Sequence, residues 1–128
     1  MKNRVSITPF LTVGNCAEAI KFYVSALQAT EVSRYDMANG KIGATLNIEG
    51  AEFYVSDEEP EFGNVSPVVA ASVQSVRIIL TTPNADNIFE NALAHGATQI
   101  CAMTTEEDWR IGKLRDPFGH VWEIGYML

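Results

Sequence analysis

The sequence predicts an α+β domain built from two copies of a β-α-β-β-β unit, curled into a mixed sheet that forms a cup. Three observations carry this expectation. A β-type apolar run, a helical stripe and three further strand-like runs occur twice in the same order. The segments LTVGNCAEAIKFYVSALQATEV and LTTPNADNIFENALAHGATQI keep register from strand through helix into the next strand. At 128 residues, 47% hydrophobic and 20% charged, the chain can bury one core, whereas two separate domains would each be marginal.

The first repeat, about residues 4–57, opens with the apolar run Val5–Val13. Asn15 follows as an N-cap with Glu18 three residues on, the pattern of a capping box. Ala19, Ile20, Tyr23, Val24 and Leu27 recur at three- and four-residue spacing, which predicts a helix over 16–27 with those side chains on its buried stripe. Thr30–Asp36, Lys41–Glu49 and Glu52–Asp57 then read as antiparallel strands, turned at Asn39-Gly40 and at Glu49-Gly50. Residues 58–74 carry Pro60, Gly63, Pro67 and several acids without a sustained period, and read as a linker with room for a short strand or helical turn.

The second repeat, about residues 75–128, runs through Ser75–Thr82, an N-cap at Asn84, and a stripe of Ala85, Ile88, Phe89, Ala92 and Leu93 that stops at Gly96. Thr98–Thr104, Trp109–Arg115 and His120–Met127 complete it, and Asp116-Pro117-Phe118-Gly119 is the turn that sets the last hairpin's register. One helix covers only one face of each four-stranded sheet. Curling the half-sheets together, or pairing with a second chain, leaves a concave, sheet-lined cup suited to a small molecule.

A net charge of −7 opposes approach to nucleic acid or an anionic leaflet. The N-terminal residues lack the apolar run and cleavage site of a signal peptide, and no apolar stretch reaches the roughly 18 residues of a span, so a cytoplasmic location is expected. Cys16 and Cys101 have no CxxC or histidine spacing around them and read as small apolar residues rather than as a zinc site or a disulfide.

TPFLTVGNCAEAIKFYVSALQA resembles the opening strand and helix of the glyoxalase/bleomycin-resistance (vicinal oxygen chelate) superfamily, and LRDPFGHVWEIGY resembles its closing hairpin. NGKIGATLNIEGAEFYVSDEEPEFG and DPFGHVWEI are most similar to the PhnB-like branch. The resemblance covers nearly the whole chain. It implies the cup-shaped glyoxalase/bleomycin-resistance fold, a small-molecule ligand and a homodimer. Members of the superfamily hold a divalent metal through the first, fourth, fifth and last strands, usually with His, Glu, His or Gln, and Glu. Those places fall here to Thr8, Tyr54, Arg77 or Ile79, and Glu123. Glu123 alone is a ligand type, so no tightly bound metal is expected. His95, at the end of the second helix, and His120, in the closing turn, do not complete the set. There is also no Gly-rich strand-turn-helix cradle for a nucleotide-like group, so no cofactor is expected.

Glu123 alternates with Trp122 and Ile124 and, by the superfamily's pattern, faces the inside of the cup. It reads as an acid/base group or as a carboxylate held by Arg77 or Arg110. Arg77 is a fixed cation able to grip a carboxylate or phosphate, or to neutralise Glu123. Tyr54 offers a hydroxyl to a bound oxygen. Thr8, Phe10, Tyr35, Phe62 and Trp109, with Arg110 beside it, are the candidate ligand-binding residues. The acidic runs Asp57–Glu61 and Glu106–Asp108 read as solvated loop faces. Three functions fit: a small-molecule-binding protein; a metal-independent lyase, isomerase or hydrolase in which Glu123 moves a proton and Arg77 or Tyr54 stabilises an oxyanion; and a structural dimer whose cup is filled by its own side chains.

Overall fold

Strand alternation and helical period are each realised twice along the chain. The structure, a computed structural model, describes residues 5–67 and 75–128. The first unit comprises β1 (Phe10–Val13), α1 (Cys16–Ala26), β2 (Thr30–Asp36), β3 (Ile42–Ile48) and β4 (Ala51–Asp57). The second comprises β5 (Ile78–Thr81), α2 (Ala85–Ala94), β6 (Thr98–Glu106), β7 (Trp109–Arg115) and β8 (Val121–Met127). The sheets have the orders β1-β4-β3-β2 and β5-β8-β7-β6, so each unit repeats the other's topology. In both, the first strand lies parallel to the last and the remaining pairs are antiparallel. The linker holds a helical turn at Pro60–Phe62. Its residues 68–74 lie outside the described residues.

Asn15 caps α1 as its sequence position predicts, its side chain accepting from the Glu18 N–H at 3.1 Å. Asn84 occupies the corresponding position before α2 but makes no side-chain cap. Its amide instead donates to Glu49 Oε1 at 3.2 Å, and Thr82 Oγ1 donates to Glu49 Oε2 at 2.6 Å, tying the second unit to the β3–β4 turn.

The buried stripe of α1 differs from the expected one at two positions. Val24 is 39% exposed, whereas Phe22 is buried against the Phe118 ring, 6.0 Å away. The reason is that α1 packs on its own sheet and also under the turn of the second unit, which rotates the covered face toward Phe22.

The helix-bearing faces of the two sheets meet in one core. Tyr23 on α1, Phe53 on β4 and Trp122 on β8 form a triangle of ring contacts with centroids 5.4–5.8 Å apart. At its edge lies the buried carboxylate of Asp116, which accepts from the Tyr23 hydroxyl at 2.6 Å and Trp122 Nε1 at 2.9 Å. Asp116 Oδ1 also accepts from the N–H groups of Phe118 and His120. The turn carboxylate therefore sets the hairpin and joins the two units. Burial, with the Asp116 charge beside it, holds the Tyr23 hydroxyl well above the usual phenol range.

Cys16 fits the reading of a buried apolar residue. Its N–H donates to Asp57 Oδ1 at 2.8 Å, and burial together with Asp57 pushes its thiol up to about 12. Cys101 does not fit that reading: it is exposed on β6, at an irregularity of the edge strand where the register against β7 slips.

Candidate functional site

Because Phe53 and Trp122 point into the shared core, their neighbours Tyr54 and Glu123 point away from it, each on the open face of its own sheet. On the second sheet, register places Ile79, Glu123, Lys113 and Cys101 in one row. Thr81, Gly125, Ile111 and Thr104 form the next. Met127, Trp109 and Glu106 follow at the end of the β6–β7 hairpin.

Glu123 is the centre of this face. Its side chain is 14% exposed, and its Oε1 receives Arg77 Nε at 2.8 Å and Lys113 Nζ at 3.5 Å. Beside it, Ile79, Ile111 and Trp109 line a depression of about 610 Å³ with Glu106 and Glu107 at its rim. A smaller hollow of about 190 Å³, bordered by Cys101, Thr104, Lys113 and Glu123, lies next to it and shares Glu106 and Ile111. Arg77 and Ile79, alternatives in the sequence, lie two residues apart on the same side: Ile79 pairs with Glu123 in the sheet, and Arg77 reaches the carboxylate from the residue before β5.

The first sheet presents a different wall. Phe10, Tyr54, Thr45 and Ser33 form a row across it, and Thr12, Ser56, Gly43 and Tyr35 the next. Phe10 and Tyr54 meet edge to face at 5.5 Å. The Tyr35 ring lies on Gly43, where a Cβ would stand 2.4 Å from ring atoms. Partial burial raises the Tyr35 hydroxyl above its ordinary value. Thr8, half-buried, continues the alternation two residues before Phe10. Phe62 stands apart on the Pro60–Phe62 turn, 75% exposed.

The candidate residues thus separate into two groups. Glu123, Arg77 and Trp109 share the second sheet's open face; Thr8, Phe10, Tyr35 and Tyr54 occupy the first sheet's. Within one chain the two faces do not confront each other, since the core lies between them. Arg110 belongs to neither: alternation turns it from Trp109's side toward α2, where it pairs with Asp86 at 3.0 Å. Lys113 was not among the candidates. Its signal was present in the sequence, because the Asp116–Gly119 turn fixes a hairpin register that sets Lys113 opposite Glu123.

The family model described as "Glyoxalase/Bleomycin resistance protein/Dioxygenase superfamily" matches residues 4–124. The chain belongs to this superfamily. An uncharacterized protein of Mycobacterium bovis is 36% identical over 125 residues, covering 94% of this chain and 82% of its own. Two solved structures show the shared fold. TioX from Micromonospora sp. ML1 has a TM-score of 0.73 at 22% identity, with 98% of this chain and 100% of its own covered. The fosfomycin resistance protein FosX from Listeria monocytogenes, complexed with Mn(II) and sulfate, has a TM-score of 0.68 at 13% identity, with 100% and 95% covered.

The superfamily's metal finds no matching donor set here. Among the described residues no group of three or more His, Cys, Asp or Glu side chains could hold an ion. Of the four places that hold ligands in the superfamily, only Glu123 carries a ligand type, and its Oε1 is already engaged by two cations. The described residues do not fit a divalent metal. Among the described residues, no helix is long and apolar enough to cross a membrane.

Proposed function

We propose that this superfamily member is a small-molecule-binding protein that acts as a homodimer, its cup formed by the first sheet of one copy and the second sheet of the other. The carrying observation is the depression beside Glu123, whose 610 Å³ is in the range of small-ligand sites and whose walls are Ile79, Ile111 and Trp109. Thr8, Phe10, Tyr35 and Tyr54 supply the facing wall, and they reach the ligand only from a second copy. The edge strands support this pairing: β1 and β5 each carry an exposed apolar residue on the open face, Phe10 at 55% and Ile79 at 53%, and pairing such edges protects them from water and from other chains. The PhnB-like branch and a cytoplasmic location belong to the same proposal.

In the enzymatic alternative, Glu123 serves as acid/base and Arg77 or a Tyr54 from the second copy as oxyanion partner. The doubly engaged Oε1 disfavours it, because the oxygen that would take or give the proton is already occupied by Arg77 and Lys113.

Light scattering of the wild type and of Phe10→Glu and Ile79→Glu tests the pairing. The wild type should have twice the chain mass, and each variant, still folded by circular dichroism, the mass of one chain. A monomeric wild type sinks the shared cup. Metal analysis of the purified protein, with thermal shift against Zn²⁺, Ni²⁺, Mn²⁺ and Fe²⁺, tests the site's chemistry, since an ion that binds only the folded state raises the Tm. A stoichiometric metal lost in Glu123→Ala would replace this reading with metalloenzyme chemistry.

A further inference from the structure

We infer that the ligand of the second sheet's open face is an organic anion with a flat apolar body, its acidic group held by Arg77 and Lys113. The inference deepens the binding reading above and rests on it. It begins with a charge count. Arg77 and Lys113 both contact Oε1 of one carboxylate, Glu123, so at that oxygen two positive charges face one negative charge. This occurs in a chain whose overall charge is −7. Arg77 is more than half exposed and Lys113 one third, so both can turn donors to a ligand while keeping Glu123. A guanidinium and an ammonium on either side of a carboxylate form a cradle for a second oxyanion.

The surroundings orient the occupant. Along β7 the face runs from Lys113 through Ile111 to Trp109, a distance of roughly 13 Å at the usual strand rise. Past the cations it is apolar, Ile79 and Ile111 followed by the Trp109 ring, and an aromatic or aliphatic body gains by burial there. Glu107 stands at the far rim, whereas Glu106 borders both the depression and the hollow beside Lys113 and Glu123. Glu107 disfavours an acidic group at the Trp109 end, and Arg77 and Lys113 favour it at the other. Glu123 is then the element that keeps the cradle in place between ligands, occupying the cations that the ligand's oxygens share when bound.

The roles of the three charges are separable by sign. Phenylphosphonate, benzyl alcohol and benzylamine, titrated into ¹⁵N-labelled protein, present the same ring with negative, neutral and positive heads. Phenylphosphonate should shift the amides of Ile79, Lys113 and Glu123, with binding that weakens as salt is added. Lys113→Gln and Arg77→Gln should each weaken it by about tenfold, the size of one charge-assisted contact. Glu123→Gln should tighten it, because the competing carboxylate is gone. Dispersed spectra of each variant establish that it is folded.

Equal or stronger binding of benzyl alcohol or benzylamine at these residues overturns the anion inference and leaves the small-molecule reading standing. Weaker phenylphosphonate binding in Glu123→Gln also overturns it, since it would make Glu123 a ligand contact rather than a competitor. If none of the three probes moves these amides, the inference falls together with the reading beneath it.

Discussion

Replacing Asp116 by alanine removes a carboxylate on which both units converge, and the structure sets the size of the loss. Four donors lose their acceptor. The N–H groups of Phe118 and His120 lie at a part-buried turn where water can replace the oxygen. The Tyr23 hydroxyl and Trp122 Nε1 are buried and have no such substitute. An orphaned buried donor costs about 1–3 kcal/mol, so Asp116→Ala should cost about 2–6 kcal/mol. That is a large part of the roughly 5–15 kcal/mol by which domains are stable. Tyr23→Phe removes the hydroxyl together with its need for a partner and leaves Trp122 satisfied, so its cost should be about 1–2 kcal/mol. Urea denaturation at neutral pH, followed by far-UV circular dichroism, measures both variants and the double mutant. The double mutant should lose less than the sum of the singles, because one orphan disappears with the hydroxyl. Should Asp116→Ala fail to fold, Asp116→Asn, which keeps one accepting oxygen, should fold with an intermediate loss. A cost for Asp116→Ala below about 0.5 kcal/mol, or strict additivity, would refute the claim that this carboxylate couples the units.

Phe22→Ala should destabilise by about 3–5 kcal/mol, and Val24→Ala by less than about 1 kcal/mol, because the second unit's turn covers only the former; equal losses in thermal denaturation would contradict the packing described for α1. Gly125→Ala should cost more than about 2 kcal/mol, since its Cβ would stand 2.2 Å from the Arg110 carbonyl oxygen, a backbone atom that cannot step aside; a wild-type Tm would disprove the close approach of β7 and β8. Cys101 should react with a thiol reagent at once, and Cys16 only as the protein unfolds. The folded Cys16 thiol holds its proton up to about 12 against an ordinary value of 9.0, so the unfolded chain releases it first. The stability this group contributes is therefore complete below pH 9.0 and lost as the pH rises toward about 12, and Cys16→Ala should flatten the decline in denaturation midpoints over that window.

The duplicated unit was legible because the periods of strand and helix survive in both repeats, and Asn15 with Glu18 marks the first helix by local chemistry alone. What escaped depended on contacts between the units. Val24 and Phe22 exchange places on α1 because the covering surface comes from a turn almost a hundred residues away. Asn84 leaves its cap for Glu49 for the same reason. Asp116 read as a turn residue, which it is, but its hold on Tyr23 and Trp122 appears only when the two helix-bearing faces meet. At the site, alternation along β7 already assigned Arg110 and Lys113 to opposite faces, and the hairpin register already paired Lys113 with Glu123. Both follow from strand alternation along β7 and the register of the β7–β8 hairpin. That Tyr54 and Glu123 face different directions has no local signature, because it depends on which faces of two similar sheets are buried together.

That divergence has a genetic consequence under the proposed pairing. The two walls of a cup come from one gene but from different molecules, and every dimer has two cups. A chain damaged at Tyr54 and a chain damaged at Glu123 would each be inactive alone. Mixed in one cell, they would assemble heterodimers in which one cup inherits both lesions and the other inherits none. Two loss-of-function alleles could then restore up to half of the sites in each mixed dimer, a form of complementation that a cup built within a single chain could not produce.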